Sequence, residues 1–218
     1  MEGQKKFFHQ MTNTNSSDIK AIVFDLGGVL FREGKSVAIE KLFKEKKYDK
    51  EVVHNVLTSP KSRNLRAGLI TDEDFWGFVQ QQLPEGYDAH TIKDYWYDGY
   101  ILDEDIFNLV NKLHGKYKLF IFSGNIKSRV EYLENKYGFR KYFDLEIYSY
   151  DYHFNKPQKE FVDVLVEKSE LNPMEMVFID DSEEVLKPAK DLGIKTAVYV
   201  TGNIHDLENK LKFFGISI

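Results

Sequence analysis

Short apolar segments alternate with amphipathic helical segments over much of the chain, and this alternation restricts the fold more than any other feature. The apolar runs, rich in β-branched and aromatic residues, lie at 19–24, 118–122, 176–180 and 196–200. Apolar residues recur every three or four positions at 126–137, 159–171, 183–192 and 206–213, with Gly138 and Gly193 placed as helix stops. Strands that alternate with helices of this length predict an α/β protein, in which right-handed crossovers build a parallel sheet with helices on both faces.

The stretch from about residue 36 to residue 115 interrupts this alternation. It contains five helix-like segments and no convincing strand, and Thr71 and Asp74 have the spacing of a capping box. The segments span 36–47, 49–58, 71–83, 89–100 and 103–115. We therefore predict a helical insert at 36–100, a core built from 19–35 and 101–218, and a polar leader at 1–18 that does not join the fold.

Composition excludes several classes of function. A hydrophobic content of 42% is that of a globular chain, and a net charge of −5 with interleaved lysines gives no attraction to nucleic acid. The absence of cysteine excludes disulfides and thiolate metal sites. No apolar stretch approaches the roughly 20 residues that span a bilayer, and the leader lacks the apolar segment of a secretory signal. We expect a cytoplasmic monomer or homodimer without nucleic-acid or membrane partners.

Polar residues follow the ends of three predicted strands, and a lysine precedes one of the predicted helices. In an open parallel sheet these positions converge at one edge, where ligands bind. Carboxylates at that edge can hold a hard cation, and a hydroxyl with an ammonium group can hold a phosphate. The set comprises Asp25, Gly27 and Gly28 after the first strand, Ser123, Gly124 and Asn125 after the second, Asp180 and Asp181 after the third, and Lys156.

Each of these residues also has a purely structural interpretation. Asp25 can end a buried strand in a turn, since Asp and Gly dominate such turns. Asp180 and Asp181 can cap the following helix, and Lys156 can be a solvated loop residue. Their joint occurrence at successive strand ends favours a phosphate and metal site.

Four segments in this order resemble the motifs of the haloacid dehalogenase superfamily: VFDLGGVL (23–30), IFSGN (121–125), NKP (155–157) and VFIDDSEEVLKPAKDLG (177–193). The resemblance covers about 19–200 and implies a Rossmann-like three-layer α/β/α parallel sheet with an inserted α-helical cap of subclass I. RAGLITDEDFW (66–76) is similar to a stretch in the group of α-D-glucose-1-phosphate phosphatases and the phosphatase domain of soluble epoxide hydrolases. The resemblance implies a Mg²⁺-dependent phosphatase that hydrolyses a small phosphorylated metabolite, with a sugar phosphate as the favoured class.

The resemblance implies roles for individual residues. Asp25 would attack phosphorus and form an aspartyl-phosphate. Mg²⁺ would be held by Asp25, the Gly27 carbonyl and Asp181, with Asp180 as a direct or water-mediated partner. Phosphoryl oxygens would be held by Ser123, Gly124 and Asn125, and Lys156 would offset the charge of the phosphate and of Asp25.

Three positions depart from the pattern of the superfamily. Gly27 stands where most of its phosphatases have a second aspartate that protonates the leaving group, Val185 replaces a polar neighbour of the metal, and Gly124 replaces a common asparagine. The loss of a general acid favours an acidic leaving group, such as an anomeric hydroxyl. Two alternatives therefore stay open: a catalytically degenerate protein that binds without turnover, and a carbon–halogen hydrolase of the same fold, which needs no metal.

Overall fold

The computed structural model of this protein describes residues 18–218, in which five strands form one parallel sheet. The sheet order is β3-β2-β1-β4-β5, so the first strand lies in the centre. The strands are β1 (Ala21–Phe24), β2 (Lys118–Ser123), β3 (Leu145–Tyr148), β4 (Met176–Asp180) and β5 (Lys195–Val198). The predicted α/β fold is confirmed.

The register of the central strands brings the polar strand ends to one level. Phe24 lies opposite Ile121 of β2 and Ile179 of β4. One residue further along each strand direction, Asp25 follows the end of β1 and lies beside Asp180, the last residue of β4. The Asp25 N–H donates to the Ile179 carbonyl at 3.0 Å. Because the strands are parallel, residues more than 150 positions apart in sequence meet at this edge.

Both faces of the sheet are covered, as the three-layer prediction requires. Alternate strand residues enter two hydrophobic clusters, because successive side chains of a strand point to opposite faces. Ile22 and Phe24 belong to the larger cluster, which includes apolar residues of the helices at 104–113, 127–137 and 204–213. Ala21 and Val23 belong to the smaller one, which includes residues of the helices at 159–169 and 183–191. The helices are α1 (Gly34–Lys46), α2 (Lys50–Thr58), α3 (Pro60–Arg66), α4 (Asp72–Gln82), α5 (Ala89–Asp98), α6 (Glu104–Leu113), α7 (Lys127–Tyr137), α8 (Ser149–Tyr152), α9 (Lys159–Ser169), α10 (Glu183–Asp191) and α11 (Ile204–Phe213).

The segment between β1 and β2 is helical, as its sequence predicts, and contains α1 to α6. The capping box at the start of α4 is present: Thr71 Oγ1 accepts from Asp74 N–H at 3.1 Å, and Asp74 Oδ2 accepts from Thr71 N–H at 3.1 Å. Gly138 ends α7 with a φ of 61°. The exact division into core and insert stays a prediction, and the polar leader lies, apart from Asp18, outside the described residues.

Three elements have no counterpart among the sequence predictions: strand β3, helix α3 and the four-residue helix α8. Strand β3 pairs only with β2 at the sheet edge, and its first two residues, Leu145 and Glu146, are only half-buried, so it lacks the continuous apolar run of the other strands. Helix α3 has seven residues, and Leu65 is its one large apolar side chain. None of the helices in residues 18–218 combines the length and the apolar character needed to cross a membrane.

Candidate active site

An ammonium group lies between two carboxylates at the carboxyl edge of the sheet. Lys156 Nζ is 3.0 Å from Asp25 Oδ1 and 2.8 Å from Asp180 Oδ2. The lysine side chain, 10% exposed, comes from the loop before α9 and passes over Phe122 and Phe178, whose ring centroids lie 5.2 and 5.0 Å from Nζ. Sequence-distant residues thus form one buried ionic cluster.

Asp181 completes a group of three carboxylates. One oxygen each of Asp25, Asp180 and Asp181 lies within 4.8 Å of the others. Asp180 is buried and also accepts from Ser182 N–H at 3.0 Å, whereas Asp181 is exposed. Carboxylate oxygens at this mutual distance are the ligands that Mg²⁺ prefers, so the residues fit that cation.

Burial and charge act against each other in this cluster. Burial raises the pKa of Asp25, the Lys156 ammonium opposes that rise, and the Asp180 carboxylate adds to it. Burial also raises the pKa values of Asp180 and Asp181. For Lys156, burial disfavours the charged form, yet the two neighbouring carboxylates raise its pKa above the ordinary value. The lysine is therefore charged, and it compensates only part of the negative charge.

The two glycines after Asp25 leave room for different neighbours. Gly28 has a φ of +87°, and a Cβ atom there would lie 2.1 Å from Asp181 Oδ2. Only glycine can combine this backbone conformation with such close approach of a carboxylate. A Cβ atom on Gly27 would lie 3.2 Å from Tyr100 Cε1 and 3.7 Å from the Tyr100 hydroxyl oxygen. The buried Tyr100 ring thus occupies space beside the position where many relatives carry their acid.

The segment after β2 contributes groups of two kinds. Ser123 is buried, and its interaction with the Asp25 carboxylate partly offsets the rise in the pKa of Asp25. Gly124 lines the cavity above the carboxylates. Asn125 Oδ1 instead accepts from Ile126 N–H at 2.9 Å and from Arg129 Nε at 2.8 Å, so this oxygen is directed at the start of α7. Phosphate binding by Asn125 stays a prediction.

Arg129 is a buried cation that sequence reasoning missed. Its guanidinium lies 4.2 Å from the ring centroid of Tyr100 and 4.6 Å from that of Trp96, and both of its Nη atoms lack hydrogen-bond partners among the described residues. Burial lowers the pKa of this guanidinium. The position of Arg129 on a helical segment gave no signal, because only packing shows that aromatic faces replace water around it.

A cavity of about 350 Å³ opens above the carboxylates. Its core wall includes Gly124, Lys156 and Val185 in addition to the acidic residues. The other wall comes from the inserted helices, which supply Leu57, Thr58, Ser62, Arg63 and Arg66. None of these five was a candidate from the sequence, because no motif connects them to the strand ends.

Comparison with known proteins identifies the family. The model of the haloacid dehalogenase-like hydrolases matches residues 19–193. An uncharacterised protein of Dictyostelium discoideum is 37% identical over 223 aligned positions, which cover 89% of this chain and 96% of that one.

Two solved structures place the fold among enzymes. A HAD family enzyme of Bacteroides thetaiotaomicron, crystallised with magnesium and inorganic phosphate, superposes with a TM-score of 0.73 at 26% identity and covers 85% of this chain and 96% of its own. L-2-haloacid dehalogenase of Xanthobacter autotrophicus, with chloropropionic acid covalently bound, shares the fold with a TM-score of 0.62 at 21% identity, over 92% of this chain and 85% of its own. With its parallel sheet, its strand-end carboxylates and a family match over most of its length, this chain belongs to the haloacid dehalogenase-like hydrolases.

Proposed function

We propose that this protein is a Mg²⁺-dependent phosphatase that hydrolyses a small phosphorylated metabolite, with a sugar phosphate as the favoured class. The observation that carries the proposal is the cluster of Asp25, Lys156, Asp180 and Asp181 at the floor of one cavity. A carboxylate beside an ammonium group and two further acids suits attack on a phosphoryl group next to a divalent cation. The Bacteroides enzyme crystallised with magnesium and inorganic phosphate supports the same interpretation.

Mg²⁺, held by Asp25, the Gly27 carbonyl and Asp181 with Asp180 close by, would supply the positive charge that lets two anions meet. Asp25 then attacks phosphorus: a bond forms between its carboxylate oxygen and phosphorus as the bond to the leaving oxygen breaks. Lys156, held by Asp25 and Asp180, offsets the charge that collects on the phosphoryl oxygens, and Ser123 with the Gly124 N–H binds those oxygens. Water attacks the resulting aspartyl-phosphate and releases inorganic phosphate and the Asp25 carboxylate.

The missing acid at Gly27 selects among leaving groups. General acid catalysis typically contributes about 10² to 10⁴ in rate. The absence of the acid therefore slows hydrolysis least when the leaving group can depart without a proton. An anomeric sugar oxygen is more acidic than that of a simple alcohol. This is the reason for favouring a sugar phosphate over an alkyl phosphate.

The alternative of a catalytically degenerate protein has specific support from three positions. Gly27 stands in place of a proton donor, Val185 in place of a polar neighbour of the metal, and Gly124 in place of a side-chain hydrogen-bond donor. It predicts binding of Mg²⁺ or of a phosphate analogue without phosphate release. The dehalogenase alternative shares the aspartate nucleophile but needs no metal. The adjacent carboxylates of Asp180 and Asp181 favour the metal-dependent reaction over it.

The experiment that tests the proposal is phosphate release from p-nitrophenyl phosphate and glucose 1-phosphate, with Mg²⁺ or with a chelator. We expect release that requires Mg²⁺ and that falls to background in Asp25→Asn. Asp191→Asn, which removes an exposed carboxylate paired with Lys187 outside the cavity, is the matched control and keeps wild-type turnover. Folded wild-type protein that releases no phosphate from either substrate would contradict the proposal, and Mg²⁺-independent release of halide from 2-chloropropionate would favour the dehalogenase.

A further inference from the structure

Helix α3 presents polar side chains to the cavity from the side opposite the carboxylates. Ser62, Arg63 and Arg66 all line the same cavity as Asp25 and Lys156. Residues three apart on a helix lie on one face, so the two arginines form a pair. We propose that Ser62, Arg63 and Arg66 form a subsite for a second anionic group, and that the substrate carries a carboxylate or a second phosphate besides the phosphoryl group that is cleaved. The inference rests on the proposed function for the cleaved end.

The position of α3 over the core is fixed by hydrogen bonds to its last carbonyls. Asn155 Nδ2 donates to the Arg63 carbonyl at 3.3 Å, and Ser149 Oγ donates to the Arg66 carbonyl at 2.5 Å. His153 Nδ1 lies 2.9 Å from the Ala67 carbonyl. The Arg63 carbonyl also accepts from Ala67 N–H at 3.0 Å, whereas the last carbonyls of a helix, such as that of Arg66, lack intrahelical partners and can be satisfied by core side chains. The arginines are therefore held above the catalytic edge.

The side-chain polar groups of Ser62, Arg63 and Arg66 have no hydrogen-bond partner among the described residues, although the Arg66 guanidinium lies over the Trp96 ring. Within residues 18–218, neither Arg63 nor Arg66 forms an ion pair with a carboxylate. Ser62 is 2% exposed, and its Oγ has no hydrogen-bond partner in the described structure. A buried hydroxyl without a partner is costly, and it is usually explained by a ligand or water that completes it.

The cleaved phosphoryl group has its own partners on the core wall. Lys156 and Gly124 line that wall with the acidic residues, whereas Ser62, Arg63 and Arg66 line the cavity from α3. Guanidinium groups bind carboxylate and phosphate in a bidentate manner, and the Arg66 guanidinium lies 5.6 Å from the Trp96 ring centroid. The cavity volume of about 350 Å³ is at the lower end for ligand pockets, so it suits a small metabolite.

A kinetic experiment compares substrates that differ only in the second anionic group. The pairs are glucuronic acid 1-phosphate with glucose 1-phosphate, for a carboxylate, and glucose 1,6-bisphosphate with glucose 1-phosphate, for a second phosphate, and all of these substrates carry the anomeric phosphate. We expect kcat/KM to be about 10- to 100-fold higher for the second-anion member of one pair, the range of charge-assisted hydrogen bonds, and the responding pair identifies the anion. The ratio within that pair should fall at least about tenfold in Arg63→Gln/Arg66→Gln and severalfold in Ser62→Ala.

Lys61→Gln is the matched control, because it removes one positive charge from an exposed side chain of the same helix that does not line the cavity. We expect it to leave the ratio unchanged. Equal kcat/KM within both pairs in the wild type would overturn the proposal. An equal loss of kcat/KM on both members of a pair in the arginine variant would also overturn it, because the arginines would then bind the cleaved phosphoryl group.

A binding experiment keeps the subsite testable if the protein does not turn over. Phosphonoacetate carries a carboxylate that ethylphosphonate lacks, and both resist hydrolysis. We expect calorimetry with Mg²⁺ to show at least about tenfold tighter binding of phosphonoacetate, and we expect the double arginine variant to lose this preference. If this preference is found in a protein that releases no phosphate, the subsite is supported and the proposed phosphatase function is contradicted. Equal affinity for both phosphonates, together with equal affinity for 1,2-ethylenediphosphonate and ethylphosphonate, overturns the subsite.

Discussion

Replacement of Lys156 by methionine tests whether the ionic cluster is held together by one cation. Lys156 Nζ lies within 3.0 Å of carboxylates from two strands, and the side chains of Asp25 and Asp180 are 12% and 2% exposed. Methionine keeps most of the apolar length that crosses Phe122 and Phe178 but removes the charge. Removal of one partner of a buried ion pair typically costs about 3–5 kcal/mol, because the remaining charge is buried without compensation. For a chain of this size, that cost lowers Tm by roughly 6–20 °C.

The assay is thermal and urea unfolding of wild type and Lys156→Met in a chelator and in Mg²⁺. If Mg²⁺ binds the folded carboxylate cluster, as the proposed function requires, it replaces part of the missing positive charge, so we expect it to recover part of the lost stability. Lys159→Met is the control, because Lys159 pairs with Asp163 in solvent, with side chains 60% and 48% exposed, and such pairs contribute less than about 1 kcal/mol. If Lys156→Met in chelator unfolds within about 1 kcal/mol of wild type, the ion pairs are not what compensates the buried carboxylates.

Two further predictions concern the glycines after the nucleophile. Gly28→Ala should lower stability by more than Gly215→Ala and should also reduce Mg²⁺-dependent turnover. Both glycines have φ near +87°, so the backbone strain is similar in the two variants. A Cβ at Gly215 meets nothing within 4 Å, whereas one at Gly28 would displace the Asp181 carboxylate. Equal losses of stability and activity in the two variants would refute the role of that close approach. Gly27→Asp alone should not raise the turnover of alkyl phosphates, because Tyr100 occupies the adjacent space, whereas Gly27→Asp/Tyr100→Leu should gain about 10²-fold over Tyr100→Leu in steady-state assays. A comparable gain from Gly27→Asp in the presence of Tyr100 would show that the ring is no obstacle.

The sequence by itself determined four of the five strands and the acidic edge of the site. Strands β1, β2 and β4 are continuous apolar runs because they are buried on both faces, and this local pattern is readable without a structure. Asp25 and Asp180 follow two of those runs directly, and parallel strands force such residues together regardless of their separation in sequence. Helix ends such as that at Gly138 could also be predicted from the local sequence, since a glycine in the left-handed conformation ends a helix.

The edge strand and the short helix α3 were decided by tertiary structure. Strand β3 is stabilised by pairing with β2 rather than by an apolar run, so Leu145 and Glu146 resemble loop residues in the sequence. Helix α3 has little apolar surface of its own and is held by core side chains that bond to its carbonyls. Periodicity detects an element only when the element buries its own apolar face.

The second wall of the cavity depended on tertiary structure for the same reason. In the sequence, nothing distinguishes Arg63 and Arg66 from other basic residues, and only the position of α3 brings them to the cavity of the carboxylates. Arg129 likewise resembles a surface residue in the sequence, and only the tertiary structure shows that Trp96 and Tyr100 enclose it. Gly27 marks a missing acid in the sequence, but only packing shows that the Tyr100 ring lies beside it. Chemistry that depends on strand ends was encoded locally, whereas chemistry that depends on how the helical insert meets the sheet required the long-range contacts of the folded chain.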